Sequence, residues 1–407
     1  MPRLLYLGFA FPPGLAALSP GINPAGHALE TQMIAELRRY FDIRSAGVLP
    51  FTAPQLPSAD PRTGISHELL LVEKPPELFH RFHSAVRLKA QYRQWRADGW
   101  EPETVLVYNL SPIYNQFIVW LRKQPRCPKL VLLLLDSPNL GVALPCFKRF
   151  RYRFKPMHFP DAEMLGLFDA CIGLSKDAEQ YFRPKRVPFL WMPGGCTPFP
   201  ILNTGENWPA AESSNPLRLG YFGALAPHAG VEQLINTFLA TKVPASLEIC
   251  GYGKMGERVA ELARCQPSLR YHGLLTPEEC LRFGESCDLL INPRPATHGN
   301  QNNFPSKLFD YALTATAILT SRLSGVENVL GPDAFYFDPL NFERSLGQSL
   351  RTVAAMSRTE LRKRGIAIRD RVQTEFSWKK QGARLAAFIG GPLQSPAGNE
   401  LAQALAA

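Results

Sequence analysis

The sequence predicts an α/β protein made of two doubly wound domains, each built around a parallel sheet. Short apolar runs alternate with segments of helical period through almost all of the 407 residues. The alternation stops once, at residues 198–216, which are rich in Pro, Ser, Asn and Glu and have no apolar periodicity, and it then restarts. A break of this kind between two alternating halves indicates a linker between domains.

Five apolar runs in the first half are predicted strands. They are Leu4–Ala10, Thr104–Asn109, Leu130–Asp136, Ala170–Ser175 and Phe189–Pro193. The segment HALETQMIAELRRYF, between the first two strands, has apolar residues at helical spacing. Strands that alternate with helices form βαβ units, so we expect these strands to lie parallel.

Five further runs after the linker predict a second sheet. They are Leu217–Phe222, Leu247–Cys250, Leu269–Gly273, Asp288–Pro293 and Ala317–Ser321. The helix in TPEECLRFGESC opens with a capping box, Thr276 at the N-cap and Glu279 three residues later. The segment TEFSWKKQGARLAAFI predicts a last helix, and a small, polar tail follows it.

Composition argues against several classes of protein. No apolar run approaches the ~20 residues of a membrane span, and Leu4–Ala10 is too short, and ends in Phe-Pro-Pro-Gly, for a signal peptide. The eight cysteines include no C-x-x-C pair, so we expect reduced thiols in a cytoplasmic protein. Residues 1–200 carry 24 Lys and Arg against 16 Asp and Glu, a net charge of +8. Such a domain faces an anionic partner or is simply well solvated.

The main candidate site is a polar segment that stands between two apolar runs, in the sequence NNFPSKLFDYAL. The preceding strand ends at Pro293, and the loop Arg294–Phe304 then crosses the carboxyl edge of the sheet, where open α/β sheets bind ligands. The next helix begins at Pro-Ser-Lys, and its start favours phosphate. Lys307 and Asp310 share a face of that helix, so they suit a diphosphate and ribose hydroxyls. The alternative is an ordinary surface pair.

Other candidates lie at strand ends. Gly223 ends a strand in LGYFGALAPHAGVEQLI and lets the backbone approach a ligand, although a plain strand-to-helix turn also fits. Asp136 ends the run LVLLLLD and is either a carboxylate at the sheet edge or a turn residue of DSPN. His158, His228, His272 and His298 are scattered and are interpreted as ordinary histidines.

Several segments in order resemble a known family. They are YFGALAPHAGVEQLINTF, LEICGYG, LRYHGLL, CDLLINPR, FPSKLFDYALTATAILTS and FSW. Together they resemble the retaining glycosyltransferases of GT-B fold, the "glycosyl transferases group 1" family, most specifically over residues 220–321. The resemblance implies two Rossmann-like domains facing across a cleft. It also implies that the C-terminal helix packs back toward the first domain.

The expected domains follow from the resemblance and the linker. An acceptor-binding domain would span residues 1–197, a linker 198–216 and a nucleotide-sugar-binding domain 217–376. The returning helix would span 377–390 and a flexible tail 391–407.

The resemblance assigns roles to individual residues. Asp310 matches the second acid of the family's E-x7-E motif, which holds the ribose. Ser306 and Lys307 match the Ser-Lys near the diphosphate, and Gly223 matches the glycine on the phosphate side of the donor. Gly26 lies where the glycine loop of the first domain meets its helix.

Two positions of the resemblance concern the reacting sugar, and two more depart from the family. Asp136 lies near the polar group beside the sugar, and Asn302 stands where the family has the first glutamate. Ala224 and Ala229 stand where the family often has basic residues. Arg294, Lys307 and the start of the helix are expected to compensate, and Asn303 is a further donor-binding candidate.

The implied reaction is sugar transfer from a nucleotide-sugar to an acceptor hydroxyl with retention, in polysaccharide or glycolipid biosynthesis. It requires no metal, no cofactor and no protein nucleophile. The alternative is a catalytically silent GT-B subunit that only binds nucleotide. Two basic, aromatic segments, His80–Trp100 and Cys146–Phe159, favour an anionic membrane surface, with a solvated face as the alternative and no nucleic-acid motif. The protein is expected in the cytoplasm, peripheral to the inner face of the membrane.

Overall fold

The computed structural model describes residues 1–8, 10, 24–48, 69–72, 80–110, 112–135, 162–198, 216–301 and 303–391. The chain divides into two compact units. The first unit contains residues 1–193 and 378–407, and the second unit contains residues 194–377. Most of the predicted linker, the basic segment Cys146–Phe159 and the tail beyond residue 391 lie outside the described residues.

A parallel sheet of seven described strands forms the centre of the first unit, in the order β3-β2-β1-β4-β5-β6-β7. The strands are β1 Arg3–Leu7, β2 Asp42–Val48, β3 Leu69–Val72, β4 Thr104–Tyr108, β5 Lys129–Leu134, β6 Ala170–Gly173 and β7 Phe189–Trp191. Along β1, Leu5 and Leu7 pack into one core cluster, and Leu4 and Tyr6 pack into another on the opposite face. Both faces of the sheet are therefore covered, which explains why the strand sequences are continuous apolar runs.

Helices cover the two faces of this sheet. They are α1 Pro24–Leu37, α2 His80–Ala97, α3 Pro112–Arg122, α4 Ala162–Leu165 and α5 Glu179–Phe182. The basic helix α2 packs against α3, where Tyr92 makes edge-to-face contacts with Phe117 and Trp120 at ring-centroid distances of 5.8 and 5.6 Å. No described helix is long and apolar enough to cross a membrane.

The second unit also has a parallel sheet, with six described strands in the order β10-β9-β8-β11-β12-β13. The strands are β8 Leu217–Phe222, β9 Ala245–Cys250, β10 Leu269–Tyr271, β11 Leu289–Asn292, β12 Ala317–Ser321 and β13 Phe335–Phe337. The chain builds outward from β8 in one direction and then from β11 in the other. The space between the carboxyl ends of β8 and β11 is therefore the topological switch point, where doubly wound sheets bind ligands.

Eight described helices belong to the second unit. They are α6 Val231–Thr241, α7 Gly256–Cys265, α8 Pro277–Glu285, α9 His298–Gln301, α10 Lys307–Leu313, α11 Val326–Leu330, α12 Phe342–Ala354 and α13 Arg358–Phe376. The predicted capping box of α8 is confirmed, because the backbone N–H of Glu279 donates to Thr276 Oγ1 and the Glu279 carboxylate accepts from the Thr276 N–H at 2.8 Å.

The C-terminal helix, α14 Trp378–Gly390, returns to the first unit and packs on α1. Lys129, at the start of β5, donates to the carbonyls of Phe388, Ile389 and Gly391 at 3.1, 3.0 and 2.9 Å. These carbonyls at the helix end have no partner within the helix, so the ammonium of Lys129 caps it. The expectation that this helix packs back toward the first domain is confirmed.

Candidate functional site

The switch point of the second unit brings together three of the predicted residues. Strand β8 ends at Phe222 and is followed by Gly223, and β11 ends at Asn292, two residues before Arg294. Because β8 and β11 are adjacent and parallel, both loops leave the same edge of the sheet. Helix α10 begins with Lys307 at this edge, and its amine contacts Gly223.

Helix α10 is tied to the end of β8 through a tyrosine. The hydroxyl of Tyr311 donates to the Phe222 carbonyl at 3.0 Å and accepts from the Phe222 N–H at 3.2 Å. Lys307 lies one turn earlier on the same helix face. The two hydrogen bonds of Tyr311 therefore hold Lys307 beside the loop that follows β8.

Gly223 leaves the space that the lysine occupies. A β-carbon on Gly223 would lie 2.5 Å from Lys307 Nζ and 3.1 Å from Lys307 Cε. The φ angle of Gly223 is also positive, at +148°. Only glycine meets both conditions, so the position of the lysine depends on glycine at residue 223.

Tyr221 holds the same amine. Lys307 Nζ donates to the Tyr221 hydroxyl at 2.8 Å and lies 4.3 Å from the ring centroid. Tyr221 is fully buried, and its hydroxyl donates to the Ala224 carbonyl at 2.8 Å. The lysine therefore reaches back from α10 to β8 instead of extending into solvent.

The site has an excess of positive charge. Burial and the nearby Arg294 lower the pKa of Lys307 to about 7, against the opposing effect of Asp310. Burial also lowers the pKa of Arg294, whose Nε is buried and has no hydrogen-bond partner. Neither cation forms an ion pair with any described carboxylate. An anion would supply the charge that is missing here.

His228 is a third basic side chain of the site. It lies in a 3₁₀ turn after β8, and burial, Arg294 and Lys307 lower its pKa. His228 stands in no recognisable catalytic or metal-binding motif, which is why the sequence suggested an ordinary histidine. Its position five residues after Gly223, in the loop at the same sheet edge, is the signal that could have found it.

The two loops of the site are locked together. Asn300, which is buried, donates through Nδ2 to the carbonyls of His228 and Pro295 at 2.8 and 2.9 Å. Gly230 has a φ of +75°, and a β-carbon there would lie 1.7 Å from the carbonyl oxygen of Pro293. The close approach of the two loops keeps Arg294 and His228 near each other.

Asp310 is the acidic group of the site. The residue is exposed, but neighbouring protein removes part of the hydration of its carboxylate, which raises its pKa to about 6 although Lys307 lowers it. Ser306 is exposed and makes no capping hydrogen bond. Because α10 has only seven residues, its dipole is small and the side-chain cations contribute more charge than the helix start.

The other predicted residues lie in the loop before α10, in the first unit or outside the described ranges. Asn303 is half-buried and its Oδ1 has no hydrogen-bond partner. Gly26 lies in the first turn of α1, in the first unit. Asp136 and Asn302 are outside the described residues. In the described ranges, no group of three or more His, Cys, Asp or Glu side chains could hold a metal ion.

Solved structures match the chain over nearly its full length. One is titled "Trehalose-6-phosphate from E. coli bound with UDP-2-fluoro glucose" (TM-score 0.67, 11% identity, covering 96% of this chain and 99% of that one). Another is sucrose-phosphate synthase from Thermosynechococcus elongatus (0.65, 15%, 95% and 98%). A third is the lipopolysaccharide outer core galactosyltransferase WaaB in its apo form (0.63, 12%, 95% and 99%). No protein-family model and no curated protein matches the sequence.

These similarities establish the fold. All three matches have TM-scores above 0.6 and cover both units of the chain. The chain therefore has the GT-B fold of glycosyltransferases, as the resemblance implied. At 11–15% sequence identity the matches are evidence for the fold alone.

Proposed function

We propose that this protein transfers a sugar from a nucleoside-diphosphate sugar to an acceptor hydroxyl with retention of configuration. The observation that carries the proposal is the cluster of Lys307, Arg294 and His228 at the switch point of the second unit. These groups lie where a sheet of this topology binds its ligand, and Lys307 and Arg294 form no ion pair with a described carboxylate. A diphosphate carries the charge that they lack, and the GT-B fold supports a nucleotide-sugar as its source.

The residues around the cluster have complementary tasks. The amine of Lys307, above Gly223, meets the diphosphate, and Ser306 lies beside it. Asp310 accepts hydrogen bonds from ribose hydroxyls. Asn303 offers an unpaired carbonyl oxygen to a hydroxyl of the donor. The roles of Lys307, Ser306 and Asp310 are those that the resemblance assigns.

The chemistry depends on charge at the leaving group. As the bond between the sugar and the diphosphate breaks, negative charge grows on the phosphate oxygens, and fixed cations stabilise it. The acceptor hydroxyl attacks from the leaving-group side and gives its proton to a phosphate oxygen. The proposed reaction uses no protein nucleophile and no metal ion, so activity is expected to persist in a chelator. Asp136 and Asn302 are proposed to lie next to the transferred sugar.

A thermal-shift screen tests the proposal. UDP, GDP and ADP and their sugars are added to the purified protein, and a bound nucleotide raises the melting temperature by mass action. Lys307→Met is expected to abolish the shift, whereas Lys363→Met, an exposed lysine of α13, keeps it. A protein that binds none of these nucleotides, and neither hydrolyses nor transfers any nucleotide-sugar, would contradict the proposal.

A binding protein without turnover is the second candidate. Asn302 in place of the family's glutamate, with Ala224 and Ala229 in place of basic residues, favours it. Under this alternative the thermal shift is present and product is absent with every sugar donor. Asn302→Glu would then be expected to leave binding intact, and the appearance of turnover in that variant would identify the missing group.

A surface of the first unit supports a membrane-bound acceptor. On α2, Lys89 Nζ and Arg93 Cζ lie 5.8 and 5.5 Å from the ring centroid of Trp120. Tryptophan flanked by cations suits the surface of an anionic bilayer, where glycolipid acceptors reside. The protein would then work at the cytoplasmic face of the membrane, with an anionic lipid surface as its partner.

Vesicle flotation tests this part of the proposal. Binding to vesicles with anionic lipid is expected at low salt and is expected to weaken as salt screens the charges. The pair Lys89→Gln and Arg93→Gln should weaken binding, whereas Lys379→Gln and Lys380→Gln, which remove equal charge from α14, should not. Equal binding by the two double variants would overturn the assignment of this surface.

A further inference from the structure

We infer that Tyr221 is a positioning residue that holds the amine of Lys307 over Gly223, where the diphosphate of the donor binds. The inference rests on the proposed function and assigns a role to a residue that neither the sequence patterns nor the resemblance marked. It concerns how the positive charge of the site is placed.

The contacts of Tyr221 are specific to the amine. Its hydroxyl accepts from Lys307 Nζ at 2.8 Å, and the amine lies 4.3 Å from its ring centroid. The hydroxyl hydrogen is used by the Ala224 carbonyl at 2.8 Å, so its lone pairs are directed to the lysine. Burial raises the pKa of Tyr221, which keeps the hydroxyl neutral. A phenylalanine would keep the ring contact and lose the acceptor.

The need for such a residue follows from the loop after β8. Ala224 and Ala229 bring no basic side chain to this loop, and the lowered pKa of His228 favours its neutral imidazole. A lysine on a flexible four-carbon stem would extend into water if nothing held it. Tyr221 holds the amine of Lys307 against β8. The lysine of α10 thereby places positive charge beside a loop that has no charged side chain of its own.

A double-mutant cycle tests the inference. Affinities for UDP and for inorganic pyrophosphate are measured by calorimetry for the wild type, Tyr221→Phe, Lys307→Met and the double variant. Tyr221→Phe is expected to weaken both ligands about tenfold, and Lys307→Met about 100-fold. If Tyr221 acts through the lysine, the double variant binds no more weakly than Lys307→Met. Two effects that multiply would overturn the inference.

The control is a second tyrosine of the same unit. Tyr336 donates its hydroxyl to the Gly331 carbonyl at 2.5 Å, away from the cation cluster. Tyr336→Phe removes one comparable hydrogen bond and is expected to leave both affinities unchanged. Melting temperatures of all variants separate loss of the fold from loss of the contact.

The pH profile of UDP binding gives an independent measurement. In Tyr221→Phe the amine is freer to reach solvent, so the midpoint at which affinity falls should move to higher pH. Arg294, Asp310 and His228 face the same amine and are unchanged in this variant. A role in packing alone would leave the profile unmoved, and that result would overturn the inference.

The outcomes separate the inference from the function on which it rests. Wild-type affinity in Lys307→Met would overturn the proposed donor site and, with it, the role of Tyr221. A weakened Lys307→Met together with a wild-type Tyr221→Phe would overturn only the role of Tyr221.

Discussion

The amine of Lys307 fills the space that a side chain on Gly223 would need. A β-carbon there would come within 2.5 Å of Lys307 Nζ, so the amine keeps this position only while residue 223 is glycine. The relationship joins the residue after the central strand β8 to the start of α10, the second helix after the neighbouring strand β11. The position of the Lys307 amine therefore depends on the residue type at position 223.

Gly223→Ala is predicted to displace the lysine. The affinity for UDP should fall about 10- to 100-fold, the effect of losing a hydrogen-bonded charge from a binding site. Titration calorimetry measures it. Gly273→Ala is the control, because Gly273 also has a positive φ, +72°, and no atom lies within 4 Å of its β-carbon position. Equal losses in both variants would mean that backbone strain, rather than contact with Lys307, causes the effect.

UDP binding is predicted to weaken as the pH rises above about 7. Lys307 is half-protonated near this pH in the empty site, and a diphosphate favours its charged form. Binding should therefore take up a proton at about pH 8, which calorimetry in buffers of different ionisation enthalpy detects. Lys307→Met should remove this uptake. A constant affinity from about pH 6 to pH 9 would contradict the prediction.

Lys307→Met is predicted to stabilise the empty protein. The pKa of the folded lysine lies near 7 and that of the unfolded lysine near 10.5, so between these values the unfolded state binds more protons and stability rises with pH. Below this range Lys307 is charged in both states, and the lost hydration of its ammonium lowers the free energy of unfolding by the full amount. At about pH 7 the variant should melt about 2–4 °C higher, which corresponds to roughly 1 kcal/mol. A lower melting temperature in calorimetry would contradict this.

Arg294→Ala is predicted to have two effects. It should weaken UDP binding by removing a cation, and it should raise the pKa of Lys307 by removing a repulsion. The midpoint of the pH profile should therefore move to higher pH while affinity falls. Arg344→Ala, an exposed position on α12, is the control and should change neither quantity.

Lys129→Met is predicted to loosen the C-terminal helix. Three carbonyls lose a charged donor, at a cost of about 2 kcal/mol in the free energy of unfolding. Hydrogen exchange in α14 should become faster, and the melting temperature should fall by several degrees. Lys123→Met, an exposed lysine of the same unit, should change neither.

The fold was largely predictable because most strands are buried on both faces and read as apolar runs. Strand β2, DIRSAGV, was missed because Arg44 and Ser45 interrupt the run. The structure explains the arginine, whose guanidinium lies 4.7 Å from the ring centroid of Trp100 and 5.7 Å from that of Trp95. A charged strand residue that packs on aromatic rings from a distant helix and loop leaves no local pattern in the sequence.

The candidate site was predictable where sequence position alone decides it. Lys307 and Asp310 follow a strand end, and parallel topology brings such residues to one edge. The role of Tyr221 was not predictable, because a tyrosine within an apolar strand is typical of a core residue. Its contact with the lysine exists only after α10 has packed against β8.

The return of α14 affects how a cell makes this protein. A ribosome completes the residues of the second unit, 194–377, before the helix that finishes the first unit has emerged. Until then the apolar residues of the first unit that pack against Leu385 and Ile389 are exposed to water, and chaperones can bind them. The unit that is translated first is therefore expected to be the last to reach its native state.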